Sequence, residues 1–144
     1  MQSMRFSRAC LAALLGTLLF STIPTFAKNG RDFIGFYNVS HATRQGNDIH
    51  ITLNLKFQNL SSSTARQAVV TLRQHTGMEL VGRTAPIKLL RNHDSAKVSQ
   101  RFTVSRTEYE TWRQGSQPTV FITYRDAHGT QLERYIQLAP SHTF

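Results

Sequence analysis

The groups in this chain able to bind a metal or move a proton are six histidines and eight carboxylates. They pair off locally: Asp48 with His50, His93 with Asp94, and Asp126 with His128. No pair extends to a trio with recognised ligand spacing, which a closed zinc or copper site would need. Met78 is the sole methionine after residue 27, whereas copper carriers gather Met with His. Asp and His at turns and strand edges serve hydrogen bonding and solubility, so no metal or other cofactor is expected. Catalytic signatures are equally sparse. There is no G-x-S-x-G elbow and no Gly-rich phosphate loop after a strand. A Ser-His-Asp trio assembled from distant segments stays open, but the expectation is a protein that is not an enzyme.

Binding chemistry is better represented. The stretch SRTEYETWRQGSQP, 105–118, holds the one tryptophan. Ser105 and Glu108 have capping-box spacing, in which the hydroxyl takes one free amide and the carboxylate reaches back to another. Tyr109 and Trp112 are three apart and fall on one face of a single helical turn. Gly115 and Pro118 end that turn. The aromatic pair then either plugs the open end of a core or forms a glycan platform, with Tyr37 as a further candidate. A buried plug is the commoner use of Trp.

The elements that position these residues are strands. DIHITLNLKFQ, 48–58, places Ile49, Ile51, Leu53, Leu55 and Phe57 on one face and polar residues on the other. Weaker alternation runs through 32–40, 66–74, 96–104, 119–125 and 130–138, with short strands around Pro86. Gly46, Gly77 and the DAHG stretch, 126–129, mark turns. Seven or eight short strands at a spacing of about 10 residues suggest an all-β sandwich or barrel.

The order of lengths resembles an antiparallel immunoglobulin-like or fibronectin-III-like sandwich with one short helical turn. The resemblance rests on pattern, and the paired cysteines of antibody domains are absent. It implies that the strands beginning at Arg66, Thr119 and Thr130 lie side by side. Their outward parity then groups Val69, Phe121 and Tyr135 as an apolar cluster, flanked by Arg73 and Arg125. A cluster of this kind rimmed by charge marks an interface unless a helix or the tail covers it. The same parity turns Arg134 inward, and a bulge there would send Tyr135 into the core instead.

The ends and the charge set the context. Arg5 and Arg8 precede the apolar run 11–20, and TFA, 25–27, offers small residues for cleavage. This is the layout of an export signal over 1–27, leaving one domain over 28–144 and no further membrane span. Removing Arg5 and Arg8 lowers the formal net charge from +9 to +7. Cys10 goes with the same segment, so Cys nucleophiles, thiolate sites and disulfides are excluded from the domain. Lys and Arg are scattered singly, which does not fit a nucleic-acid binder. The expectation is a periplasmic or secreted module that binds an envelope or secreted protein, acidic in character, through the sheet face or an exposed strand edge. A polysaccharide is the alternative partner.

Overall fold

A computed structural model describes residues 31–142. The export signal expected over 1–27, with its expected cleavage point, lies outside the described residues. Eight strands and one helix follow in the order β1 Phe33–Gln45, β2 Asp48–Asn59, β3 Ala65–Arg73, β4 Leu80–Arg83, β5 Ile87–Leu90, β6 Ser95–Ser105, α1 Arg106–Arg113, β7 Thr119–Arg125 and β8 Gln131–Pro140. The hydrogen-bonded path runs β4-β3-β7-β8-β1-β2-β6, with β5 also on β3. β8 joins two walls, pairing with β7 through Gln131–Tyr135 and with β1 through Ile136–Pro140.

The fold is all-β, but the sheet is mixed. β1 and β8 run parallel, from Phe33 beside Ile136 to Tyr37 beside Pro140, which corrects the wholly antiparallel expectation. The sequence hides this seam because strand alternation reads the same in either direction. β6 and β4 end the path at opposite edges, and the sheet curls until they nearly meet. Gly82 makes that approach possible, since a Cβ there would sit 2.7 Å from the Phe102 ring.

The alternation in β2 decides the interior. Ile51, Leu53, Leu55 and Phe57 are each at most 2% exposed. They pack with Phe33, Val70, Leu72, Val120, Ile122 and Ile136 into a single core. Burying a side chain of this size contributes about 1.5–3 kcal/mol. Three irregularities adjust the register, one of them between Leu72 and Arg73 where β3 meets β4. β1 shifts between Ser40 and Thr43, where His41 takes φ 51°, and β3 shifts between Arg66 and Val69, where Gln67 takes φ 49°. Thr84 lies in the gap between β4 and β5. Its N–H donates to the Val70 carbonyl and its hydroxyl accepts from the Val70 N–H, so the ladder along β3 continues.

The helix is two turns rather than one. Ser105 caps it by accepting from the Glu108 N–H at 3.1 Å, which is the hydroxyl half of the capping box. The carboxylate half does not form. Glu108 turns inward, and with Trp112 at i+4 it makes the buried stripe of α1.

Candidate functional site

β7 holds the centre of the β4-β3-β7-β8 outer face. In register, Thr71 stands beside Phe121 and Phe121 beside Tyr135, while Val69 stands beside Thr123 and Thr123 beside Glu133. The Phe121 and Tyr135 rings meet edge-on, with centroids 5.9 Å apart. The Arg73 guanidinium lies 4.9 Å from the Phe121 centroid on its other flank. Arg73 also reaches Glu133 at 3.6 Å and donates to the Gly77 carbonyl at 3.2 Å. Each contact restricts a side chain that would otherwise lose entropy on binding. The face is therefore preorganised.

The five residues expected at this face are thus brought onto one side of one wall. Tyr135 is 48% exposed, Val69 and Phe121 are half-buried, and Arg125 is exposed with its guanidinium donating to the Gly129 carbonyl at 3.1 Å. The feared slip in β8 does not occur. Arg134 keeps its inward parity because its Nε donates to Asp32 at 3.1 Å, so the chain needs no bulge there.

Sequence reasoning missed two members of this face, Met78 and Leu80. They are 83% and 55% exposed, and Leu80 pairs with Arg73 across the β3–β4 ladder. Together with Val69, Arg73, Arg83 and Arg125 they line a groove of about 510 Å³. The signal was present in MELVG, where Met78 and Leu80 are two apart, the spacing of one strand face, although β4 begins at Leu80. Three arginines meet one carboxylate, Glu133, along the groove, so its field is positive. Among the described residues neither α1 nor the chain after β8 lies over it. α1 packs on β2 and β6, and the N–H of Ser141 donates to the Tyr37 carbonyl, which carries the tail along β1.

The aromatic residues of the other expectation are placed differently. Trp112 is 7% exposed and belongs to the core, Tyr109 packs against that core, and Tyr37 is buried in the opposite wall at 8% exposure. The Trp112 indole N–H donates to Glu108 at 2.5 Å. Glu108 also receives the His75 backbone N–H at 2.5 Å and meets the His75 Nδ1 at 2.7 Å. This arrangement ties the turn after β3 to the helix and leaves the indole no open face for stacking.

Among the described residues no group of three or more His, Cys, Asp or Glu side chains could hold a metal. No helix among them is long and apolar enough to cross a membrane. Asp126 is engaged within its own turn, accepting from the His128 and Thr130 N–H groups. His50 is held between Gln45 and Thr103.

No family model matches the chain, and no curated protein matches it. Among solved structures, it is similar to an inactive mutant of the GH20 exo β-N-acetylglucosaminidase from Vibrio harveyi. That match has 13% identity and a TM-score of 0.44, covering 76% of this chain and 18% of that chain. The same enzyme in complex with N-acetylglucosamine gives 10% identity and a TM-score of 0.43, covering 78% and 19%. A protein from Archaeoglobus fulgidus gives 9% identity and a TM-score of 0.29, covering 69% and 90%. The chain spans less than a fifth of the two glycosidase chains. Neither glycosidase activity nor its substrate follows from these likenesses.

Proposed function

We propose that the protein is an exported, non-enzymatic, immunoglobulin-like β-sandwich module that binds another envelope or secreted macromolecule. The immunoglobulin-like reading draws support from β1–β2–β6 pairing on one wall and β3–β7–β8 pairing on the other. The observation that carries the binding reading is the Phe121–Tyr135 pair under Arg73, open to solvent beside the exposed Met78 and Leu80. Aromatic and aliphatic side chains held rigid at the centre of a face supply contact area at low entropic cost, and the surrounding arginines select an acidic partner.

The test is crosslinked capture of a partner from the native envelope fraction, with wild type and Tyr135→Asp compared. Tyr135 is half exposed, so the charge alters the surface and not the core. A single partner that the variant loses about tenfold supports the reading, as does its weakening in about 1 M salt, where the screening length falls to about 3 Å. Equal capture by both proteins refutes it.

A further inference from the structure

The outer face of the opposite wall is built as a grid. In-register partners across β8, β1, β2 and β6 put Ala139, Phe36, Lys56 and Lys97 in one row. The next row on the same parity is Asn38, Asn54 and Ser99, and the one after it is Ser40, Thr52 and Arg101. The middle of the grid is held by its own hydrogen bonds. Ser99 Oγ donates to Asn54 Oδ1 at 2.7 Å, and Asn54 Nδ2 donates to Ser40 Oγ at 3.1 Å.

Two features of this grid have no use within the fold. Lys56 and Lys97 stand directly opposite each other, an arrangement of like charges that destabilises a sheet. No carboxylate stands in these three rows, and among the described residues neither lysine nor Arg101 takes part in an ion pair. Phe36, in the lysine row, is 53% exposed and borders a hollow of about 460 Å³ that Arg31 and Gln58 also line. An aromatic side chain, a flat bed of amides and hydroxyls, and cations repeated along the strand thus share one surface. Lys97 and Arg101 are four residues apart on β6, about 13 Å at the usual strand rise.

We infer that this face binds an acidic polysaccharide laid along the strands. The ring faces of one sugar pack on Phe36, the hydroxyls exchange hydrogen bonds with Asn38, Asn54 and Ser99, and the acid groups neutralise Lys56, Lys97 and Arg101. Uncompensated lysines in register fit a polyanion, and the amide–hydroxyl rows between the cations fit a ligand rich in hydroxyls. The inference is independent of the protein-binding face, which lies on the other wall.

Affinity electrophoresis of the purified protein in gels containing polygalacturonate tests it, with neutral dextran, single-stranded DNA and phosphatidylglycerol vesicles as comparisons. The expected result is retardation by polygalacturonate and none by dextran. Phe36→Ala and the double change Lys56→Gln with Lys97→Gln should each weaken the retardation about tenfold, while Tyr135→Asp leaves it unchanged. Lys97→Glu alters the edge strand alone, so it decides the matter if Phe36→Ala fails to fold. No retardation, or retardation that ignores Phe36 and is matched by DNA, overturns the inference. Tighter binding to vesicles than to polygalacturonate overturns it in favour of a lipid surface.

Discussion

Glu108 accepts the indole N–H of Trp112, one helical turn later, at 2.5 Å, and it does so while 4% exposed. The same carboxylate takes the His75 backbone N–H and faces its Nδ1. A helix residue spaced for capping is thus spent on a tertiary tie across 33 residues. Glu108→Ala strands the buried indole N–H and removes the acceptor of the part-buried His75 amide. A buried donor left unpaired costs about 1–3 kcal/mol, so the variant should lose about 3 kcal/mol in all. Urea unfolding followed by Trp112 fluorescence reads both the lower midpoint and the changed indole environment. A loss below about 1 kcal/mol would mean that the tie is incidental.

Asp32 and Arg134 give a prediction of opposite sign for one pair of changes. Their side chains are 31% and 19% exposed, and the guanidinium occupies an inward position of β8. Asp32→Ala removes the partner and leaves a partly buried cation, which should cost about 2 kcal/mol. Adding Arg134→Leu to that variant replaces the stranded charge by apolar contact with the core. The double variant should recover most of the loss, measured as denaturation midpoints in one thermodynamic cycle. If the double variant is as unstable as Asp32→Ala, Arg134 does not face the core.

The strands were legible where one face is buried and the other is wet. The alternation of 48–58 becomes β2, and 119–125 becomes β7 residue for residue. The outward parity of Phe121 and Tyr135 was readable for the same reason. What stayed hidden depends on segments distant in sequence. The parallel seam of β1 and β8 joins residues about a hundred positions apart, and the inward turn of Glu108 needs His75. The row of Phe36, Lys56 and Lys97 needs three strand registers at once. Local pattern carries the period of a strand, while its neighbours come from the packing of the whole.

Burial pushes the phenols of Tyr37 and Tyr124 above the usual tyrosine value of 10.0. For Tyr124 the nearby Arg134 and a hydrogen bond with Ser63 pull the other way without cancelling the effect. The folded state therefore holds these protons more tightly than the unfolded chain does. Their contribution to stability is complete below the unfolded value and is lost as pH rises through the folded values. The domain should keep full stability up to about pH 9.5 and lose it progressively from about pH 10 upward. Thermal unfolding from pH 8 to pH 11.5 checks this, with Tyr37→Phe and Tyr124→Phe flattening the alkaline limb. A limb that is unchanged in both variants would assign the loss to other groups.

Asn59 closes β2 and is fully buried, and its side chain uses all of its hydrogen-bonding capacity. Nδ2 donates to the carbonyls of Ser63 at 2.9 Å and Leu90 at 3.0 Å. Oδ1 accepts from the N–H and hydroxyl of Ser61 at 2.9 and 2.6 Å. Its backbone is bonded on both sides, to Asp94 and His93. One amide therefore fixes the turn into β3 and the loop between β5 and β6. Asn59→Asp keeps the shape but exchanges two donors for a carboxylate oxygen facing two carbonyls in a dry site. Asn59→Ala removes the group and leaves its partners unpaired. The aspartate change should be the more harmful, costing about 4 kcal/mol against about 3 kcal/mol for alanine. Urea midpoints of the two variants at neutral pH decide it, and acidifying the aspartate variant should return part of its stability as the carboxyl protonates. If the alanine variant is the weaker of the two at neutral pH, cavity formation at this position outweighs the placement of its donors.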